Sequence, residues 1–253
     1  MTSAGRMPPP GPLPVGSAVS DALTGLADDE LLTGHVLTSV AGWGPELEIN
    51  IALSSMGQDE IGHARRLYAL GDSEGEVDRM VYERPPAEFR ASVLARTYPA
   101  EWELLLARQF LYETAGAARA AVLAGSCVDD LALLVAEMEH EERYHLDFWH
   151  TWLRTTTARS AGARDRVQRA LDQMWPLATV SFLPERPGAV EEALGLPDGA
   201  LQRARDEWIS ATHAACGQLG LRLCEGTPDP GLDRLDAMLS EMRYVYRTAP
   251  GRW

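Results

Sequence analysis

The sequence predicts an all-α fold built on a four-helix bundle, and three observations carry that prediction. Ala, Leu, Glu and Arg are plentiful, β-branched runs are short, and no strand-like alternation of apolar and polar residues persists. Two stretches, PELEINIALSSMGQDEIGHARRLYAL and DLALLVAEMEHEERYHLDFWHTWL, repeat apolar residues at i, i+3/i+4 spacing. Glycine and proline collect between such stretches, as at Gly42-Trp43-Gly44-Pro45 and Gly125-Ser126.

The first helix is predicted from about Ser20 or Asp28 to Ala41, with Leu23, Leu26 or Ala27, Glu30, Gly34, Leu37 and Ala41 on its inner stripe. Asp28 and Asp29 read as early-turn or cap carboxylates. The second opens at Pro45 with Glu46 and Glu48 at the positive end of its dipole and runs to about Gly71. A connection over 72–100 follows, with a short helix expected around Ala87 to Leu94; a long crossover between two helix hairpins is a ferritin-like device. The third helix is predicted from Ala100 to Ala124, and the fourth from an Asp129 or Asp130 cap to Arg154. A polar link, a helix near Ala161 to Trp175, a loop with Pro184 and Pro187, and helices near 199–220 and 232–247 complete the chain. The domain reading is therefore a disordered Pro/Gly-rich arm at 1–18, a core bundle at 19–156 and a helical extension at 157–253 within a single domain.

Charge and cysteine content narrow the function. A formal charge of -14 and the lack of a basic stripe exclude phosphate-tracking, so no nucleic-acid partner is expected. Cys127, Cys216 and Cys224 are too few and scattered for a disulfide framework or a zinc ribbon, which points to a reducing cytoplasm. No apolar run approaches the ~18 residues that span a bilayer, and the N-terminal arm lacks the apolar core of a signal peptide.

The chemistry lies where polar groups interrupt the apolar stripes. On the fourth helix the stripe reads Leu131, Val135, Met138, Glu142, His145, Trp149, Trp152; on the second it reads Ile49, Leu53, Met56, Glu60, His63, Leu67, Leu70. Each helix thus turns a Glu-x-x-His inward. Glu137 and His140 spell the same motif but lie ~140° around the helix, among polar Tyr144, Asp147 and Thr151, and read as solvated. Glu30 on the first helix and Glu113 on the third complete the set. Glu30 lies ~13 residues before the first turn and Glu60 ~16 after it, so at ~1.5 Å per residue their heights differ by only ~4 Å. Glu113 and Glu142 are each ~14 residues from the second turn and match in the same way.

A lone His63 or Glu113 would read as a satisfied core histidine or a surface acid. Four carboxylates and two imidazoles at one height inside an apolar bundle are instead the ligand set of di-iron or di-manganese carboxylate bundles. Such oxygen-rich ligation favours iron, with manganese the alternative. Asp59 and Glu141, each just before a metal Glu, are expected to accept from the ring N–H of the opposing histidine, Asp59 from His145 and Glu141 from His63. Gly34, Gln109, Phe110 and Ala117, one turn from the ligands, are the candidate substrate pocket; small Gly34 and Ala117 either leave a cavity or mark a close helix crossing.

GWGPELEINIALSSMGQDEIGHAR, LARQFLYETA, EERYHLDFWHTWL and MLSEMRYVYRTAPGRW resemble the phenylacetyl-CoA epoxidase family, most closely its C subunit, over roughly Asp28 to Trp253. The resemblance implies a ferritin-like fold and a place beside an iron-bearing A subunit as its non-catalytic partner. The typical C subunit has lost iron ligands, whereas Glu30, Glu60, His63, Glu113, Glu142 and His145 are all competent ones. The expectation is therefore an O2-activating di-iron monooxygenase for a small organic substrate, with two Fe ions, O2 as co-substrate, an external reductase or ferredoxin and a homo- or hetero-oligomeric state. The rival expectation is a metal-free or vestigial scaffold subunit. Ferroxidase or peroxide-scavenging activity is a third.

Overall fold

The computed structural model describes residues 18–71 and 77–248, so the predicted N-terminal arm lies outside the described residues except for Ala18, which opens the first helix. These residues form an all-α, ferritin-like bundle with ten helices and no strand. In chain order the helices are α1 (Ala18–Ser39), α2 (Leu47–Gly71), α3 (Val77–Tyr82), α4 (Trp102–Leu123), α5 (Asp129–Arg159), α6 (Ala161–Ser181), α7 (Pro187–Leu194), α8 (Ala200–Gln218), α9 (Leu235–Met242) and α10 (Tyr244–Thr248). The hairpins α1/α2 and α4/α5 make the bundle, α6 lies against α4 and α5, α8 against α4, and α7 against α1. No described helix is long and apolar enough to cross a membrane.

The first hairpin closes on its own backbone chemistry. Asn50, in the first turns of α2, accepts from the amides of Gly42 and Gly44 (2.9 and 2.8 Å), holding the loop that the Gly-Trp-Gly-Pro break opens. Along the α1–α2 crossing, glycines face each other. A Cβ on Gly34 would stand 2.7 Å from Ile61 Cγ1 and 2.8 Å from the Gly57 carbonyl, and one on Gly57 would stand 2.7 Å from Thr38 Cγ2. Gly34 is small because two backbones meet there, so of the two readings of its size the crossing applies. Gly34→Ala should consequently cost about 1–3 kcal/mol, the range for overpacking a close contact. At roughly 2–4 °C per kcal/mol for a chain of this size, a thermal melt reads it directly; an unchanged melt would mean the crossing opens freely.

The crossover departs from expectation. Its short helix is α3, before the expected Ala87 to Leu94, and that stretch holds only a 3-10 turn at Pro86–Glu88. Beyond the turn the chain is extended, with Phe89 at φ -71, ψ 133. Its amides find partners in α1 rather than in a helix of their own: Arg90 N donates to Asp28 Oδ2 (2.7 Å) and Ser92 N to Asp29 Oδ1 (2.6 Å). Asp28 and Asp29 are thus not caps. They sit buried in the middle of α1, where Asp28 also accepts from Tyr68 and from the Arg84 guanidinium. Burial pushes both carboxyls up, Asp29 to about 7, against the opposing pull of Arg84 on Asp28 and Arg119 on Asp29.

The fourth and fifth predicted helices run longer than their sequence signals suggest. α5 continues past Arg154 to Arg159, and the polar link shrinks to Ser160, whose hydroxyl caps α6 by accepting from Ala163 N (3.1 Å). α6 runs through Pro176 to Ser181. Pro187 opens α7 at the position where a missing N–H is harmless. The buried Glu191 carboxylate then receives the amides of Gly199 and Leu201 (2.8 and 2.7 Å), fixing the start of α8.

Candidate metal centre

Each bundle helix delivers its interrupting residues to one place. α1 brings Glu30, α2 Glu60 and His63, α4 Glu113, and α5 Glu142 and His145. Five of the six are buried and Glu142 is partly exposed. Their donor atoms fall into two overlapping groups, Glu30/Glu60/His63/Glu142 and Glu60/Glu113/Glu142/His145, with the atoms of each group within 4.8 Å of one another. Glu60 and Glu142 belong to both.

The histidines present the same edge inward. His63 Nδ1 lies 3.1 Å from Glu142 Oε1 and 3.9 Å from both Glu30 and Glu60. His145 Nδ1 lies 3.5 Å from Glu60, 3.9 Å from Glu113 and 4.0 Å from Glu142. Their Nε2 atoms point outward, that of His63 to Glu141 Oε2 at 2.8 Å and that of His145 to Asp59 Oδ2 at 3.3 Å. A carboxylate only accepts, so each Nε2–H donates outward and each Nδ1 faces the cluster. On α1, Glu30 is further oriented by Tyr112, whose hydroxyl donates to Oε1 at 3.0 Å.

What the cluster lacks is internal satisfaction. Glu30 Oε2, both carboxylate oxygens of Glu60 and of Glu113, Glu142 Oε1 and the two Nδ1 atoms are buried and have no hydrogen-bond partner among the described residues. Leaving even one such acceptor unpaired costs roughly 1–3 kcal/mol, so eight converging on one spot call for a cation. The electrostatics say the same. Burial first, and then the neighbouring carboxylates, push Glu60 and Glu113 well above the usual carboxylate range. Burial also raises Glu30, but adjacent Glu60 and His63 outweigh it and hold Glu30 at about 2. For His63 burial pulls down, yet the Glu142 and Glu30 carboxylates carry it to about 10. Protons are held where positive charge is wanted, and the donor set of oxygens and imidazole nitrogens fits a pair of divalent metal ions.

The outward-facing copy of the motif stays outside. Glu137 and His140 are exposed, and Glu137 pairs with Arg66 across the surface. The apolar stripes give no notice of two further groups. Tyr112 sits off the inward stripe, its position beside Glu113 being its only signal. Arg108 is fully buried near Glu60 and Glu113 and donates to the Ala95 carbonyl (2.9 Å); burial pulls its guanidinium down to about 10.

None of the four residues expected to form a substrate pocket lines the main cleft among the described residues. Gly34 is spent on the helix crossing, Gln109 is enclosed and bonded to Arg108, Phe110 packs edge-on against His150 at 5.0 Å, and Ala117 is half-buried. That cleft, of about 830 Å³, lies instead between α1, the crossover, and the ends of α4, α6 and α7.

A four-helix bundle with four glutamates and two histidines converging at mid-height is a carboxylate–histidine bundle of the ferritin-like class. The chain belongs to the phenylacetic acid catabolic protein family, whose pattern it matches over residues 15–253. It is similar to the C subunit of the 1,2-phenylacetyl-CoA epoxidase of Escherichia coli (strain K12), being 26% identical over 239 residues that cover 90% of this chain and 95% of that relative.

Proposed function

We propose that the chain is an O2-activating non-haem di-iron monooxygenase that hydroxylates or epoxidises a small organic substrate, aromatic or acyl-CoA-like in character. The observation that carries this reading is the pair of overlapping donor groups whose buried atoms have no hydrogen-bond partner. Glu60 and Glu142, common to both groups, would bridge two metal ions; Glu30 with His63, and Glu113 with His145, would complete one ion each. Iron is the assigned metal and manganese the alternative for the same donors. Bound iron supplies the activation of O2 with electrons from an external reductase or ferredoxin.

The protein's own contribution is positioning. Glu141 and Asp59 lock the imidazoles with Nδ1 inward, Tyr112 fixes the Glu30 carboxylate, and the apolar packing around Glu60, Glu113 and His145 keeps bulk water out. The free cysteines and the absence of any described helix suited to crossing a membrane suit a cytoplasmic enzyme. Likeness to a subunit of a multicomponent epoxidase supports a hetero-oligomeric setting. It also supports the rival reading, a metal-free structural subunit.

Anaerobic ferrous loading followed by metal analysis separates the two. The oxygenase takes up about two irons per chain by the two-group argument and changes absorbance on exposure to O2; the scaffold takes up none. His140→Ala serves as an internal control. It should load iron like the parent, because its imidazole is exposed on the outer face, and a loss of loading would place the metal elsewhere.

A further inference from the structure

The 830 Å³ cleft is of the size that holds a drug-sized ligand, and its chemistry is uneven. Much of its wall is apolar, from Leu23, Phe182, Leu194 and Leu201 among others. Among the described residues its cations are partnered with one exception. Arg84 is bound by Asp28, and Arg90 and Arg186 share Asp21 at the rim. Arg119, from the C-terminal half of α4, is more than nine-tenths buried, forms no ion pair or hydrogen bond among the described residues, and stacks against Phe182 at 5.7 Å. Asp29 feels the Arg119 charge without pairing with it: its carboxyl receives the amide of Ser92, and burial pushes it up to about 7. A guanidinium in an apolar wall with its donors uncommitted is the usual means of holding an oxyanion bidentately.

We propose that this cleft binds an acidic amphiphile, a carboxylate or phosphate head held by Arg119 and an apolar body lying along Leu23, Phe182, Leu194 and Leu201. None of the six clustered donor residues lines the cleft, so the site stands whether or not the bundle carries metal. Its wall nevertheless includes the buried Asp29, next in sequence to Glu30.

Calorimetric titration of the full, metal-free chain with decanoate, decyl phosphate and decanol tests it. One acid should bind per chain, about tenfold or more tighter than the alcohol, as a charge-assisted hydrogen bond implies. The stronger acid tells a free carboxylate from a phosphate ester. Arg119→Gln should weaken the acid by about tenfold or more and leave decanol alone, with Arg119→Lys in between. Thr24→Phe, which fills the cleft and keeps Arg119, should weaken acid and alcohol together and covers the case in which Arg119→Gln does not fold. Equal binding of decanol and both acids, no binding at all, or a folded Arg119→Gln or Thr24→Phe chain that titrates like the parent overturns the proposal.

Discussion

Glu142→Ala is expected to strip the chain of iron altogether, whereas Glu30→Ala is expected to leave about one ion per chain. The asymmetry follows from the overlap of the two donor groups. Glu142 reaches towards both histidines, with Oε1 3.1 Å from His63 Nδ1 and Oε2 4.0 Å from His145 Nδ1, so its loss takes a ligand from each metal position at once. Glu30 belongs to the first group only. Glu60→Ala should behave like Glu142→Ala, Glu113→Ala like Glu30→Ala, and His63→Ala should remove the ion it shares with Glu30. The measurement is iron per chain after anaerobic loading and desalting, with circular dichroism to establish that each variant is folded. Two irons retained in Glu142→Ala, or both lost in Glu30→Ala, would contradict the shared-bridge assignment. None retained even by the parent chain would favour the scaffold reading.

The meeting of these six side chains is readable in the sequence because helices convert spacing into direction. A Glu-x-x-His on an apolar stripe points inward by arithmetic alone, and a short turn such as Gly42-Trp43-Gly44-Pro45 fixes the relative height of the helices on either side. The same arithmetic puts His140 on the exposed face, where it lies. It fails where partners are distant in sequence. Asp28 and Asp29 resemble early-turn acids until the amides of Arg90 and Ser92 are placed against them, and those contacts hold the chain at 89–92 out of a helix. Gly34 is ambiguous for a related reason: a missing side chain is equally consistent with a cavity and a crossing until the opposing Gly57 and Ile61 are located. Proline is a weaker stop than its chemistry alone suggests, since Pro176 is carried within α6. Arg119 gives no signal, because an arginine on a half-polar helix looks solvated until Phe182, at the end of α6, is placed against it.

Without metal, the chain should lose stability as pH rises, and bound iron should counter that loss. Burial and then neighbouring carboxylates raise Glu60 and Glu113 well above 4.5, so the folded chain keeps protons that the unfolded chain releases near 4.5. Above 4.5 the native state therefore binds more protons than the unfolded one, and the slope of stability with pH is negative. His63 acts in the same sense over a higher window: raised from 6.5 to about 10, its contribution is complete below 6.5 and fades as pH climbs through about 10. Glu30 opposes them only in acid, because a carboxyl held at about 2 contributes above 4.5 and loses that contribution as pH falls through about 2. The chelator-treated chain should thus melt at a steadily lower temperature between about pH 6 and pH 9. Divalent cations replace the retained protons and bind more tightly as those ligands deprotonate, so the gap between loaded and metal-free melting points should widen over the same range. At a free metal concentration about a hundred times Kd the loaded chain gains about 2.7 kcal/mol, worth roughly 5–10 °C in a chain this size. Glu113→Gln separates charge from shape. By removing one buried acid it should flatten the metal-free profile and raise the melting point at about pH 8, while weakening iron binding. A metal-free profile that stays level or climbs towards alkaline pH would show the carboxylates to be satisfied within the protein, and a bundle satisfied in that way has no need of metal.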